Sequence, residues 1–504
     1  MPRKGQQKVR TGCRTCKIRK IKCDEFHPAC LKCRSTGRNC DGYEVPPPGS
    51  YSWEELLLRS KPVPQSVSSA SFANLRGLTF FSRIVAPELN GPLNSSFWTQ
   101  DVPQAAYSEP AVGHAVLAIS SLYESFVVQR SSCTIESTLS NDAIRHYNSA
   151  IKCLTTPGPV SIDTVLLTCI LFVCAEFLCG NAQAAITHVT HGFSLIDTSV
   201  TDSDVLSMLR HLAIFPHFFS HDIPNIPLPY YGDWPKIDGA LKSLSYAQES
   251  LDSLSCHIVR LVRMADRHRL GMGPELQSFE CAMLKQKALE QDLENWRSAF
   301  NTLRRNLRPR SKHELCLLLL EMRWLVARIW TSTCISPDEM IFDDHRESFY
   351  RIVELASQAK TQRNLAGSAR GKFSFTMGFS PLLHFVVLKC RYLKLRLTAL
   401  TLMWDLSCSR ESLWDYATMY AIGTRIIEKE HGIPVLSPEK ITEVRGCLSD
   451  QQALPRDWQR VRDSALEPDT KLFTDDHGTK IWRTKIRFLV KPGSGPVQAI
   501  YDWV

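Results

Sequence analysis

Six cysteines fall in the first forty residues, and their spacing repeats: Cys13-x2-Cys16-x6-Cys23, six residues, then Cys30-x2-Cys33-x6-Cys40. Thiolate sulfur is a preferred donor for zinc, which takes four ligands at tetrahedral geometry. One zinc cannot use six thiolates, and two zincs need eight ligand positions, so two sulfurs must serve both metals. The symmetry of the repeat makes the first cysteine of each half, Cys13 and Cys30, the natural shared pair. Cys16 and Cys23 then complete one metal and Cys33 and Cys40 the other. The expectation is two Zn2+ per chain.

The residues between these ligands say what such a cluster serves. Arg14, Lys17, Arg19, Lys20 and Lys22 all lie between Cys13 and Cys23. Residues 1–40 carry twelve Lys and Arg against Asp24 and Glu25, a formal +10 in a chain whose total is +9, so residues 41–504 sum to −1. Six thiolates and two zinc ions lower the module to about +8. A compact cation on an otherwise balanced chain is the electrostatic footprint of nucleic-acid binding, because each phosphate neutralised releases condensed counterions. A disulfide framework is disfavoured, since the opening Met-Pro-Arg-Lys-Gly-Gln-Gln-Lys has no apolar secretory core. RING- and LIM-like protein-binding modules use longer, mixed Cys/His spacings and lack this basic run. The twelve remaining cysteines, Cys169, Cys174 and Cys179 among them, read as reduced core thiols.

Cys-Arg-x-Cys-Lys-x-Arg-Lys-x-Lys-Cys-Asp, followed by His27-Pro28-Ala29-Cys30 and a second Cys-x2-Cys, resembles the fungal Zn(II)2Cys6 binuclear zinc-cluster transcription factors at every ligand. The resemblance implies Cys13 and Cys30 as bridging thiolates and a first short helix that enters the DNA major groove and reads a CGG triplet. Carried over by position, Arg19 and Lys20 become the base-reading residues, suited to the O6 and N7 acceptors of guanine. Arg14, Lys17, Lys22 and Lys32 become phosphate contacts, which position without reading sequence. The resemblance also implies a nuclear regulator of RNA polymerase II transcription whose partners are double-stranded DNA with CGG half-sites and the transcription machinery. Pro28 matches the family's loop proline, whose fixed φ helps return Cys30 to the first metal.

The remaining chain must carry and place this head. Residues 1–45 form the DNA-binding domain. Residues 46–74, with Pro46-Pro47-Pro48-Gly49-Ser50 and the Lys61–Ser71 stretch, read as a flexible Pro/Ser-rich linker with a candidate short helix at Trp53–Arg59. No run of apolar a and d positions lasts three or four heptads, so a dimerising coiled coil is not supported; monomeric binding and a homodimer through the body stay open.

Residues 75–460 read as a mainly all-α body. Ala288-Leu289, Leu293, Trp296, Phe300 and Leu303 make one apolar helix stripe, Leu315–Trp330 a buried helix, and Val165–Ala175 a core helix too short to span a membrane. Several stretches resemble the fungal-specific transcription factor regulatory domain: Phe97-Trp98 to His114, Arg145–Ile151, Leu171–Phe177 with His188, and Leu382–Leu400 with Lys389-Cys390-Arg391 and Arg396. The last segment, 461–504, reads as a β-hairpin, with alternating Trp482, Ile486, Phe488 and Val490, a Pro492–Pro496 turn, and an apolar Val497–Val504.

Catalytic motifs fail their chemistry. Gly367–Phe373 has three residues between its glycines where a phosphate loop needs four, and Phe373 stands where magnesium needs a hydroxyl. No Gly-x-Ser-x-Gly or His-Glu-x-x-His occurs. His217 and His221 are spaced for a shared metal, but Pro216 precedes them and Phe218-Phe219 lie between. Arg304–Lys312 reads as a solvated charge run between two helices, with an import signal as the weaker reading. The sequence therefore points to a zinc-dependent, sequence-specific transcription factor and not an enzyme. The alternatives are a metabolite-sensing zinc-cluster regulator and a helical scaffold or enzyme with an accessory DNA-binding head.

Overall fold

Where thiols stand in place of apolar side chains, the described residues form two short helices, α1 (Arg14–Ile18) and α2 (Leu31–Arg34). The structure is a computed structural model, described here for residues 12–26, 29–42, 67–91, 96–129, 141–196, 204–214, 240–270, 279–307, 311–365, 371–434, 441, 453–474, 480–493 and 495–504. It divides into two units, Met1–Val63 and Pro64–Val504. Among the described residues, the core of the first unit consists of cysteines alone. Such a module buries too little apolar surface to fold on hydrophobic free energy.

The second unit is helical in its greater part. It runs through α3 (Val67–Phe80), α4 (Ala86–Asn90), α5 (Val102–Ser108), α6 (Pro110–Gln129), α7 (Asn141–Thr155), α8 (Ile162–Cys179), α9 (Ala182–Ser194) and α10 (Asp204–Leu212). It continues with α11 (Leu244–Arg269), α12 (Phe279–Asn306), α13 (Ser311–Thr333), α14 (Arg346–Leu365), α15 (Phe379–Lys389), α16 (Leu393–Leu406) and α17 (Tyr416–His431). A small sheet joins β1 (Phe373–Ser374) to β2 (Arg410–Glu411) in parallel and β2 to β3 (Trp414–Asp415) in antiparallel fashion.

The expected periodicities hold in α12 and α13. Leu289, Leu293, Trp296, Phe300 and Leu303 are buried on one stripe of α12, and the Trp296 indole donates to the Ala247 carbonyl and Ser250 Oγ, both at 3.1 Å, tying α12 to α11. Ala288 is exposed, so the stripe excludes it. Helices over Pro110–Val128 and Ile162–Cys179 are apolar and long enough to cross a membrane by composition, but 61% and 72% of them lie buried inside the unit, as core helices do. Thus the Val165–Ala175 run sits within a longer helix than its own length suggests, capped by the Ser161 hydroxyl and closed by Gly180 at φ +72°.

Three expectations need correction. Helix α3 starts at Val67, inside the stretch read as linker, because no Gly or Pro interrupts 67–76. Cys179 and Cys281 are exposed, whereas Cys174, Cys256, Cys316, Cys334 and Cys390 are buried as expected. The C-terminal segment is a three-stranded antiparallel sheet, β4 (Val461–Thr474), β5 (Lys480–Val490) and β6 (Gln498–Trp503). Its β5–β6 hairpin follows the alternation in the sequence; β4 does not, since its register shifts between Leu466 and Thr470 around Pro468. The candidate helix at 53–59 and the His217/His221 pair lie outside the described residues.

Buried ion pairs fasten that sheet to the helices. Glu430, fully buried on α17, accepts from Arg396 Nη1 at 2.6 Å, from Arg391 Nη2 at 3.4 Å and from the Val461 N–H at 2.7 Å. The same Arg391 donates to the Val461 carbonyl at 3.1 Å. Arg460 forks onto Asp343 at 3.0 and 2.6 Å.

Candidate metal centre and nucleic-acid interface

Each half of the cysteine repeat builds the same unit. Cys13 caps α1 and Cys30 caps α2, each sulfur accepting the N–H of the cysteine three residues on, Cys16 at 3.4 Å and Cys33 at 3.3 Å. The Cys-x2-Cys spacing thus places both sulfurs of a half at the start of one helix. The six Sγ atoms fall into two quartets, Cys13, Cys16, Cys23, Cys30 and Cys13, Cys30, Cys33, Cys40, each with its atoms within 4.8 Å of one another. Cys13 and Cys30 belong to both.

The distances suit zinc. Four sulfurs about 2.3 Å from a tetrahedral zinc stand about 3.8 Å apart. Cys13 and Cys30 Sγ are 3.7 Å apart, Cys16 and Cys30 3.6 Å, and Cys13 and Cys33 3.9 Å. None of the described cysteines is in a disulfide. Burial pushes the Cys13 thiol up to about 12 and those of Cys16 and Cys30 in the same direction. Six sulfurs this close need a cation to ionise together, and two Zn2+ supply it. Cys40 goes the other way, drawn down by the backbone N–H groups of Cys30 and Gly42.

A second pair of residues repeats with the cysteines. Asp24 follows Cys23 as Asp41 follows Cys40. Asp24 accepts from the Leu31 N–H at 2.9 Å and the Lys32 N–H at 2.8 Å, bracing the start of α2. Desolvation works to raise its carboxyl, yet these donors and the Phe26 N–H together hold it below the usual range. Asp41 makes the reciprocal brace on α1, accepting from Thr15 Oγ1 at 2.8 Å while the Arg14 N–H reaches the Gly42 carbonyl at 3.0 Å. Gly12 completes the closure, since a Cβ there would stand 2.8 Å from Cys23 Cβ. The cysteine spacing gave no hint of Asp24, Thr15, Asp41 or Gly12; the duplicated Cys-Asp dipeptide was the available signal.

The cationic side chains surround this core. Arg14, Lys17, Lys20, Lys22 and Lys32 are exposed. Arg19 is half-buried and donates to Thr36 Oγ1 at 3.3 Å. Lys20 has left-handed backbone at φ +55°, just past the end of α1.

Residues 11–50 match the fungal Zn(2)-Cys(6) binuclear cluster domain. The N-terminal module is a fungal Zn(2)-Cys(6) binuclear cluster domain. The chain is 26% identical to an aspercryptin biosynthesis cluster-specific transcription regulator of Emericella nidulans over 60% of its own length and 55% of that protein's. It is 28% identical to a Zn(2)-C6 fungal-type transcription factor of Aspergillus fumigatus, over 45% and 63% of the two chains. It is 29% identical to a transcription regulator of Purpureocillium lilacinum, over 36% and 47%. The chain thus spans about half the length of the curated relatives it matches. No solved structure matches it.

Beyond the Zn(2)-Cys(6) module, the polar residues in the regulatory-domain-like stretches come together in the body. Tyr147 Oη lies 3.2 Å from Glu176 Oε1 and 2.9 Å from His188 Nε2, and His114 Nδ1 is 3.0 Å from His146 Nδ1. Lys389 and Arg391 both donate to Glu339. Of the second basic run, Arg304 is no loop charge: it lies in the last turn of α12 and donates to the buried Glu321 at 2.8 Å.

Proposed function

We propose that the chain is a zinc-dependent, sequence-specific DNA-binding regulator of RNA polymerase II transcription that acts in the nucleus. The observation that carries this reading is the pair of sulfur quartets sharing Cys13 and Cys30 beneath an exposed cationic helix. Cys13, Cys16, Cys23, Cys30, Cys33 and Cys40 hold the two zincs, and α1 enters the major groove. Lys20 and Arg19 read guanine edges of CGG-type half-sites, while Arg14, Lys17, Lys22 and Lys32 contact phosphates. Residues 1–45 bind DNA, a tether follows, and the helical body with its C-terminal sheet regulates, pairs with a second copy or contacts the transcription machinery. The similarity to transcription regulators supports a role without catalysis.

The test is a selection from random duplex DNA with the full-length, zinc-loaded protein. Enrichment of CGG triplets, with log affinity falling against log salt at a slope of about −4 for four phosphate contacts on one half-site, is the expected result. Recovery of unenriched DNA with a flat salt response would assign the module to protein binding instead.

A further inference from the structure

Arg19 and Thr36 occupy the same place in the two halves of the cysteine repeat, three residues after Cys16 and Cys33. The first half puts a guanidinium there and the second a hydroxyl, and the two meet: Arg19 Nη1 donates to Thr36 Oγ1 at 3.3 Å. A hydroxyl has a single proton and two lone pairs. The Thr36 proton goes back to α2, where Oγ1 lies 2.8 Å from the Lys32 carbonyl and 3.1 Å from that of Cys33, which leaves the lone pairs for Arg19.

The acceptor is itself fixed. The Thr36 N–H bonds to the Cys33 carbonyl at 3.2 Å and the Gly37 N–H to that of Arg34 at 3.1 Å, closing the turn that ends α2. Cys33 belongs to the second sulfur quartet, so the hydroxyl is anchored three residues from a metal ligand. On the other side the Arg19 N–H closes α1 on the Thr15 carbonyl at 3.1 Å. The hydrogen bond therefore ties a side chain at the end of the first helix to the end of the second. Its effect on Arg19 follows from the flexibility of arginine. A free guanidinium samples many rotamers and loses that freedom when it docks on a base, whereas one already held has less to lose. Arg19 is half-buried while Arg14, Lys17, Lys20 and Lys22 are exposed, as a side chain held against the module should be. With Nη1 on Thr36, Nη2 and Nε remain to meet O6 and N7 of a guanine.

We infer that Thr36 is a positioning residue for DNA reading: its hydroxyl holds the Arg19 guanidinium in the pose that meets guanine. The second half of the repeat thereby takes part in sequence recognition without touching a base through this residue. The inference rests on the proposed role of Arg19 as a base contact.

The test uses the full-length, zinc-loaded protein on duplexes carrying the triplet that selection enriches and on random duplex DNA. Thr36→Val removes the hydroxyl and keeps the shape, and Thr36→Ser keeps the hydroxyl. Thr36→Val should lower the preference for the triplet over random DNA by about three- to tenfold with the salt slope unchanged, and Thr36→Ser should retain it. In an Arg19→Ala background Thr36→Val should change nothing further, because it acts through Arg19. Metal analysis checks that each variant holds its zinc, and Thr36→Ala takes the place of Thr36→Val should the latter lose it. An unchanged preference in Thr36→Val, an equal loss on the triplet and on random DNA, a Thr36→Ser as impaired as Thr36→Val, or the same loss in the Arg19→Ala background would overturn the proposal and leave Arg19 a reader. An Arg19→Ala protein that keeps the full preference would instead remove Arg19 from the reading set, and the proposal with it.

Discussion

Lys20 and Gly37 hold equivalent places in the two halves of the cysteine repeat, four residues after Cys16 and Cys33, and both have left-handed backbone, φ +55° and +62°. Both close a helix in the same way: the Lys20 N–H reaches the Lys17 carbonyl and the Ile21 N–H that of Cys16, as Gly37 reaches Arg34 and Arg38 reaches Cys33. Glycine takes this conformation freely, whereas a side chain there costs about 1 kcal/mol. The second half avoids that strain and the first half keeps it. Strain retained at an exposed lysine fits a side chain held in place for recognition. Lys20→Gly should therefore leave the metal-loaded module as stable as before or up to about 1 kcal/mol more stable. It should also lower affinity for a CGG site by about 1–3 kcal/mol with little change on random DNA. Thermal melting of the zinc-loaded protein and paired binding isotherms separate the two effects. A loss of stability equal to the loss of binding would make Lys20 a structural residue.

Lys32 offers the contrasting case. Its N–H is fixed by Asp24 at 2.8 Å while its side chain is exposed on α2. Lys32→Ala should weaken CGG-containing and random DNA alike and reduce the salt slope by about 1. A selective loss on the CGG site would move Lys32 into the reading set.

Metal removal should act on one unit only. The first unit has cysteines for a core, and the second has its own clusters of buried apolar side chains. Chelation should unfold residues 13–40, abolish DNA binding and leave most of the helical signal in circular dichroism. Its pH dependence follows from the sulfurs. Without metal the unfolded segment carries ordinary thiols, which ionise near about 8.5, so zinc must displace protons at neutral pH and its affinity should rise with pH. Competition with a chromophoric chelator between pH 6 and 8 measures this, and a pH-independent affinity would contradict thiolate ligation. Asp24→Ala should weaken zinc several-fold while leaving all six ligands in place.

The cysteine array was legible because ligand spacing is local: Cys-x2-Cys places two sulfurs at one helix start without reference to the rest of the chain. Helices α12 and α13 were legible for the same reason, through a stripe or an all-round apolar surface. What the sequence concealed was made by distance. Glu339 and Glu430 read as ordinary acids, yet folding buries them against Lys389, Arg391 and Arg396, which come from another helix pair. Strand β4 has a polar sequence broken by Pro468, and its state comes from pairing with β5 rather than from its own pattern. The braces by Asp24 and Asp41 show in the sequence only as a repeated dipeptide, because their partners, Leu31, Lys32 and Thr15, lie 7 to 26 residues away.

Glu430 links two of these distant parts, so its charge should matter more than any surface acid. Arg391 keeps Glu339 if Glu430 is neutralised, but Arg396 has no other carboxylate at salt-bridge distance among the described residues. A buried guanidinium without its anion typically costs about 3–5 kcal/mol. Glu430→Gln should destabilise the second unit by that order in urea unfolding. It should also loosen the C-terminal sheet, whose first N–H, that of Val461, bonds to Glu430. A change under 1 kcal/mol, on the scale of exposed pairs, would show that water reaches the site.

Glu176 gives a pH dependence of known sign. Burial raises its carboxyl to about 7, and the hydrogen bonds from Tyr147 and Asn181 only partly offset the shift. The folded state therefore favours the protonated acid, and this contribution is present below the ordinary carboxylate pKa and lost as pH rises through 7. His188, pushed down to about 4 by burial, acts in the opposite sense: its contribution is present above the ordinary imidazole pKa and lost as pH falls towards 4. The two slopes oppose each other between about 4.5 and 6.5, leaving Glu176 to dominate above. Glu176→Gln keeps an acceptor for Tyr147 and removes the charge. It should stabilise the second unit by about 1–3 kcal/mol at pH 8 and by little at pH 5, read as thermal midpoints across that range. A uniform destabilisation at both pH values would mean that the ionised carboxylate, held by Tyr147 and Asn181, is the form the fold requires.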